Sequence, residues 1–375
     1  MASAATSVLA AIREQAVPQV AAEARSVDRE RAFPVASLRA LAAVGGYGLV
    51  VPETAEGAGG SLSALVDACE AVAAACASTG MVFLMHSVTA ATVAAGGGRN
   101  AEGYLRSMAD GEMLATLAFS ERGTGAHFYS PELRASRANG TVRISGRKTF
   151  VTSGGHADLY LLLVQAEADG LDCYVVERTQ EGLSFDGGWL GLGMAGNSSI
   201  AMELDVALPA EARIGASGEG EKLVFDVVAP FFLLGLAAVN VGIARAAAET
   251  AIEHARDRRY PDGSTLAEIQ FVQHELAGMD LRVRSARVLA AEAARLGEAG
   301  DPAALVAIME AKVAATEAAV EVTQRALEVC GGQGYTPALP IERHLRDARA
   351  GTVMAPTNAV LKTWIGKALA GLPVP

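Results

Sequence analysis

Apolar residues recur at helical spacing from Ser3 to about Asp110, broken at Gly45-Gly46, Pro52, Gly57 to Gly60 and Gly96 to Gly98. This predicts several helices joined by loops. Within it, Ser63 to Ala77 puts Val66, Cys69, Val72, Ala73 and Cys76 on one face, with Ser61 or Ser63 as an N-cap. Between about Met113 and Ile214, β-branched and aromatic residues alternate with polar ones. Leu133–Ala138 and Thr141–Ile144 flank Asn139-Gly140, a pair tolerant of positive φ and thus a hairpin signal. Further strands are predicted at Leu159–Gln165, Leu171–Glu177 and Ile200–Val206, together a small antiparallel barrel or sandwich. After Gly220, long alanine-rich periods at Ala229–Arg258, Ala267–Gly297 and Pro302–Cys330 predict a helical bundle. Cys330-Gly-Gly-Gln-Gly-Tyr-Thr-Pro337 reads as a glycine-rich loop before a last helical tail. The expected organisation is α+β: an N-terminal helical domain (1–112), a middle antiparallel β-barrel domain (113–217) and a C-terminal four-helix bundle (218–375).

Composition narrows the function. A chain of 375 residues exceeds what one hydrophobic core usually organises, so two or three units packing as one body are expected. A formal charge of −11 argues against a surface that tracks nucleic-acid phosphates. Cys69, Cys76, Cys173 and Cys330 form no CxxC pair or metal-ligand spacing, which points to buried reduced thiols and no metal site. Residues Met1 to Pro18 carry Arg13 and Glu14 and lack an uninterrupted apolar core, so they do not read as a signal peptide. The apolar run Val227 to Ile243 contains Pro230, Gly235, Asn240 and Gly242 and leads into charge, so a buried helix is expected rather than a membrane span. A cytoplasmic protein is the expectation.

Three motifs carry candidate chemistry. They are Leu117-Ala-Phe-Ser-Glu-Arg-Gly-Thr-Gly-Ala126, Gly146-Arg-Lys-Thr-Phe-Val-Thr-Ser-Gly-Gly155, and Cys330-Gly-Gly-Gln-Gly-Tyr335 followed by Ile341-Glu-Arg-His-Leu-Arg-Asp-Ala348. In order and spacing they resemble the acyl-CoA dehydrogenase family along nearly the whole chain. The resemblance implies an FAD enzyme acting on an acyl thioester. In it, Phe119 and Phe150 wall the flavin ring, Ser120 and Thr152 donate to its polar edge, and Gly123 and Gly125 let backbone approach. Ala126 and His127 fall to the substrate. Arg259 and Gln270 match the family's dinucleotide-binding arginine and glutamine, although Asp262 replaces the aromatic that usually follows that arginine. Glu328, Gly331, Gly332 and Thr357 complete the implied FAD contacts. Sharing of the FAD between chains implies a homotetramer or homodimer, with electron-transfer flavoprotein or oxygen as acceptor.

The chain departs from the family at the base. Where a glutamate ordinarily abstracts the α-proton, Arg346-Asp-Ala-Arg-Ala-Gly-Thr-Val-Met-Ala-Pro-Thr-Asn358 places Ala355, followed by Pro356. The alternative family position on the first bundle helix, Pro230-Phe-Phe-Leu-Leu-Gly235, has no acid, and Leu233 stands where an arginine is usual. His86 is the first candidate replacement base, since neutral imidazole accepts a proton near pH 7, and His127 is the second. The competing readings are α,β-dehydrogenation, a desulfinase-like elimination needing no strong base, a flavin monooxygenase on the same fold, and a degenerate binding or scaffold subunit.

Overall fold

The computed structural model describes residues 3–138 and 140–374. Alanine and leucine periodicity folds the first segment into α1 (Ala4–Ala11), α2 (Val17–Arg29), α3 (Val35–Ala43), α4 (Leu62–Ala75), α5 (Ala77–Gly96) and α6 (Ala101–Ala109). The face predicted within Ser63–Ala77 is α4, on which Val66, Cys69, Val72 and Ala73 are buried. Eight strands follow among the described residues: β1 (Ala115–Ala118), β2 (Ala135–Ala138), β3 (Thr141–Val151), β4 (Leu159–Gln165), β5 (Leu171–Glu177), β6 (Leu183–Asp186), β7 (Ile200–Pro209) and β8 (Arg213–Ile214). Helices resume as α7 (Gly220–Leu223), α8 (Ala229–Asp257), α9 (Gln270–Glu298), α10 (Ala304–Tyr335), α11 (Ile341–Val353) and α12 (Asn358–Leu369).

The strands form two four-stranded sheets, in the orders β1-β4-β5-β8 and β2-β3-β7-β6. The second sheet is antiparallel, with Ala138 opposite Thr141 across the predicted hairpin and Gly140 at φ 79°. Asn139 itself lies outside the described residues. The expectation of an antiparallel barrel needs correction: β1 pairs parallel with β4, Thr116 opposite Tyr160, so this sheet is mixed. Parallel pairing requires a long crossover. Residues 119–158 provide it by building the hairpin of the other sheet on the way.

The glycine-rich loop also differs from expectation. α10 runs on to Tyr335 with one break at Gly331, at φ 54° and ψ −137°. Glycine tolerates that backbone, so the chain kinks without a loop.

A single buried cluster runs through α4, α5, β3, β4, β5, β7, α8 and α10, so the predicted units share one core. Helices Ala77–Gly96 and Gly220–Asp257 are long and apolar enough to cross a membrane, but most of their apolar windows are buried within this core. α10 packs against α8, α9, α11 and α12, and α4 packs against α8. The α4–α8 seam is very close: a Cβ on Gly242 would lie 2.5 Å from the Glu70 carbonyl oxygen. The Glu70 carboxylate, nearly buried, accepts from Arg245 on α8 (3.0 Å) and Arg287 on α9 (2.9 Å).

The two sheets are joined through charge. Lys148 of β3 and Glu121 after β1 form an ion pair with side chains 0% and 2% exposed. The Lys148 ammonium also donates to the carbonyls of Leu163 (2.6 Å) and Phe119 (3.4 Å). The other carboxylate oxygen of Glu121 accepts the backbone N–H groups of Glu132 (2.7 Å) and Leu133 (3.1 Å). Removing one partner of such a pair leaves an uncompensated buried charge. Lys148→Met is therefore expected to cost about 3–5 kcal/mol, read as a lower urea midpoint at unchanged slope. A loss below about 1 kcal/mol would mean that Glu121 finds water or a proton instead.

Candidate active site

The residues that follow β1 are set by the Glu121–Lys148 pair. Phe119 is buried, and Ser120 accepts the Thr149 N–H on its carbonyl (2.8 Å), tying the turn to β3. Gly125 takes φ 54° with open space where a side chain would stand, and at Gly123 a Cβ would collide with the Glu132 carboxylate. Phe150 is held at φ 52°, remains 70% exposed, and meets Trp189 edge-on at 6.4 Å. Thr152 is buried, with its hydroxyl 3.1 Å from that of Ser199.

A cavity of about 60 Å³ opens beside this turn, lined by Met85, Leu117, Phe119, Ser120, Phe128, Phe150, Val228, Phe232 and Ala355. The predicted Phe119, Ser120, Phe150 and Ala355 thus converge from the β1 turn, β3 and the α11–α12 connection. Among the described residues lining it, Ser120 is the one polar side chain, and no carboxylate, imidazole or ammonium is present. Sequence reasoning missed Met85, Phe128, Val228 and Phe232. The Phe231-Phe232 pair was visible, but helical phase alone did not say which ring turns inward.

His86 lies off this cavity. α5 does border the cavity, but through Met85, while His86 is turned away and fully buried. The Ala115 N–H donates to its Nδ1 (3.1 Å), so Nε2 carries the proton and donates to the Tyr47 carbonyl (3.0 Å). Burial pulls its pKa down to about 4. An imidazole with its lone pair engaged and its charged form disfavoured is a poor proton acceptor. His127 is exposed, with Nδ1 2.9 Å from the Tyr129 hydroxyl, and does not line the cavity, although its neighbour Phe128 does.

The remaining predicted residues lie elsewhere. Arg259, Gln270, Glu328, Gly331 and Gly332 are all exposed, and none lines the cavity. A small separate core of Ala255, Leu266 and Val272 with Val329 packed against it brings these segments to one end of the bundle. Thr357 caps α12, its hydroxyl accepting the Val360 N–H at 3.4 Å.

Three family models cover the chain in order: the acyl-CoA dehydrogenase N-terminal domain (residues 4–112), middle domain (116–206) and C-terminal domain (234–370). A cyclohex-1-ene-1-carbonyl-CoA dehydrogenase of Geobacter metallireducens is 30% identical over 366 residues, covering 96% of both proteins. The chain belongs to the acyl-CoA dehydrogenase family. Butyryl-CoA dehydrogenase from Megasphaera elsdenii superposes with a TM-score of 0.91 at 25% identity, covering 99% of each chain. The fold is also that of PigA, solved as an FAD complex, with a TM-score of 0.90 at 20% identity over 99% of this chain and 98% of that one.

Within this acyl-CoA dehydrogenase fold, His86 reads as a structural residue with a pH signature. Its folded pKa of about 4 lies below the ordinary 6.5, so the folded state resists protonation. Between pH 6.5 and 4 the unfolded chain takes up a proton that the folded chain refuses, and stability falls as pH drops. His86 should contribute on the order of 2–3 kcal/mol to that loss. Burial raises Asp347 to about 6, which acts in the opposite sense, so the comparison is with a variant. The fall in unfolding free energy from pH 6.5 to 4 should be shallower in His86→Gln. Equal slopes would remove His86 from the account.

Proposed function

We propose that this protein is a cytoplasmic FAD-dependent oxidoreductase acting on an acyl thioester, carried by CoA or a carrier protein, without the family's carboxylate base. The observation behind this reading is the cavity wall: residue 355 is alanine, and no carboxylate, imidazole or amine is among the described residues lining it. The apolar lining with one hydroxyl has the chemical character that an aromatic ring with a polar edge would meet. When bound, FAD would supply a two-electron acceptor for hydride. Phe119 and Phe150 would wall the ring, Ser120 and Thr152 would hydrogen-bond its edge, and Gly125 would leave room for close backbone approach. Ala126 and His127, which precede the lining residue Phe128 in sequence, are assigned to the substrate.

Arg259, Gln270, Glu328, Gly331, Gly332 and Thr357 are proposed to complete the dinucleotide site. All but Thr357 are exposed away from the chain's own cavity, which favours a homodimer or homotetramer sharing FAD across subunits. Exposed Phe271, Leu281 and Val288 on α9 supply apolar surface for such an assembly.

The same wall favours a second reading over ordinary dehydrogenation. A saturated thioester releases its α-proton only to a base. Cleavage of a β C–S bond in which a sulfinate departs as sulfur dioxide, leaving its bonding electrons on a carbon that then takes up a proton, removes no α-proton, and neither does an oxygenation using externally reduced flavin, so neither places that demand on residue 355.

The purified protein should be yellow, with noncovalent FAD, and a flavin-free protein that cannot be reconstituted would sink the proposal. Under anaerobic conditions simple saturated acyl-CoAs should bleach the flavin slowly. Ala355→Glu, alone or with Pro356→Gly to free the turn, should accelerate bleaching about 100-fold, the scale of a general base. Fast bleaching by the unmodified protein would mean that another group takes the proton. Oxygen uptake dependent on added reduced flavin would favour the monooxygenase.

A further inference from the structure

Lys312, on α10, has a fully buried side chain and makes no ion pair among the described residues. Burying an ammonium is costly unless every N–H finds an acceptor. An ammonium has three donors, and here all three acceptors lie on one short segment. They are the carbonyls of Met354 (3.5 Å) and Pro356 (3.1 Å) and the side-chain oxygen Oδ1 of Asn358 (2.8 Å). The amide of Asn358 donates onward to the Thr316 hydroxyl (2.9 Å), which itself donates to the Lys312 carbonyl (2.9 Å). One turn of α10 therefore grips the connection between α11 and α12 at both its backbone and its first helical side chain.

The residue enclosed by this grip is Ala355. Its two neighbours in sequence carry the gripped carbonyls, and Ala355 itself forms part of the cavity wall. A cap serving only the end of α11 would need no contact with Pro356 or Asn358. We propose that Lys312 is a positioning residue: its ammonium locks the 354–358 segment so that the side chain at position 355 faces the substrate. The inference rests on reading the cavity as the acyl site.

Hydrogen exchange on the flavin-loaded protein tests the lock independently of that reading. Lys312→Met should speed exchange of the 353–361 amides at least 10-fold, with flavin content and exchange in α4, α5 and β3 unchanged. Asn358→Leu removes one acceptor and should give a smaller change in the same amides. It also serves if Lys312→Met fails to fold. Unchanged exchange in this segment, or loss of protection spread evenly over the bundle, would overturn the lock.

A kinetic arm tests its purpose. In the Ala355→Glu background, adding Lys312→Met should lower kcat for flavin reduction by butyryl-CoA at least 10-fold with KM within about 2-fold, and Lys312→Arg should recover part of it. Equal kcat with and without Lys312 would refute positioning. If Ala355→Glu shows no reduction at all, the acyl-site reading fails, and the exchange result alone decides whether the lock exists.

Discussion

The Glu121–Lys148 ion pair is the constraint on which the site depends. Two ions removed from water need good geometry and further hydrogen bonds to offset the desolvation. Here those bonds go to the backbone of three separate stretches: Phe119, Leu163 and Glu132-Leu133. The pair therefore fixes where the mixed sheet ends, where the antiparallel sheet begins and how the turn between them is oriented. Ser120 and Phe119 owe their places to a charge interaction that never touches the cavity.

A similar economy governs the opposite wall. The buried ammonium of Lys312 is matched to the α11–α12 connection as Lys148 is matched to the β1 turn, so each side of the cavity is a backbone segment held by one lysine. At 355 the wall carries alanine, on a backbone held through the carbonyls of both its neighbours.

Much of this was legible in the sequence because it is local. The α4 face, β4, β5 and the long bundle helices follow from periodicity, and the motifs around Ser120 and Phe150 mark residues that do line the cavity. What escaped depended on non-local partners. The parallel pairing of β1 with β4 depends on a crossover that no local pattern encodes. The run at Gly331 contains every signal of a loop, yet packing carries the helix through it with one left-handed residue. His86 and Met85 are adjacent on α5, and only the positions of Tyr47 and Ala115 decide which faces the cavity. Lys312 sits in an alanine-rich helix where an isolated lysine ordinarily marks the solvent side.

The close seam at Gly242 has a consequence for access. With backbone of α4 and α8 in direct apposition, and Glu70 clamped by arginines from two other helices, the amino-terminal helices and the bundle cannot part like jaws. Val228, just before α8, and Phe232, in its first turn, both line the cavity. The aromatic rings lining the cavity therefore hang on a fixed frame, built like a keyhole rather than a hinge.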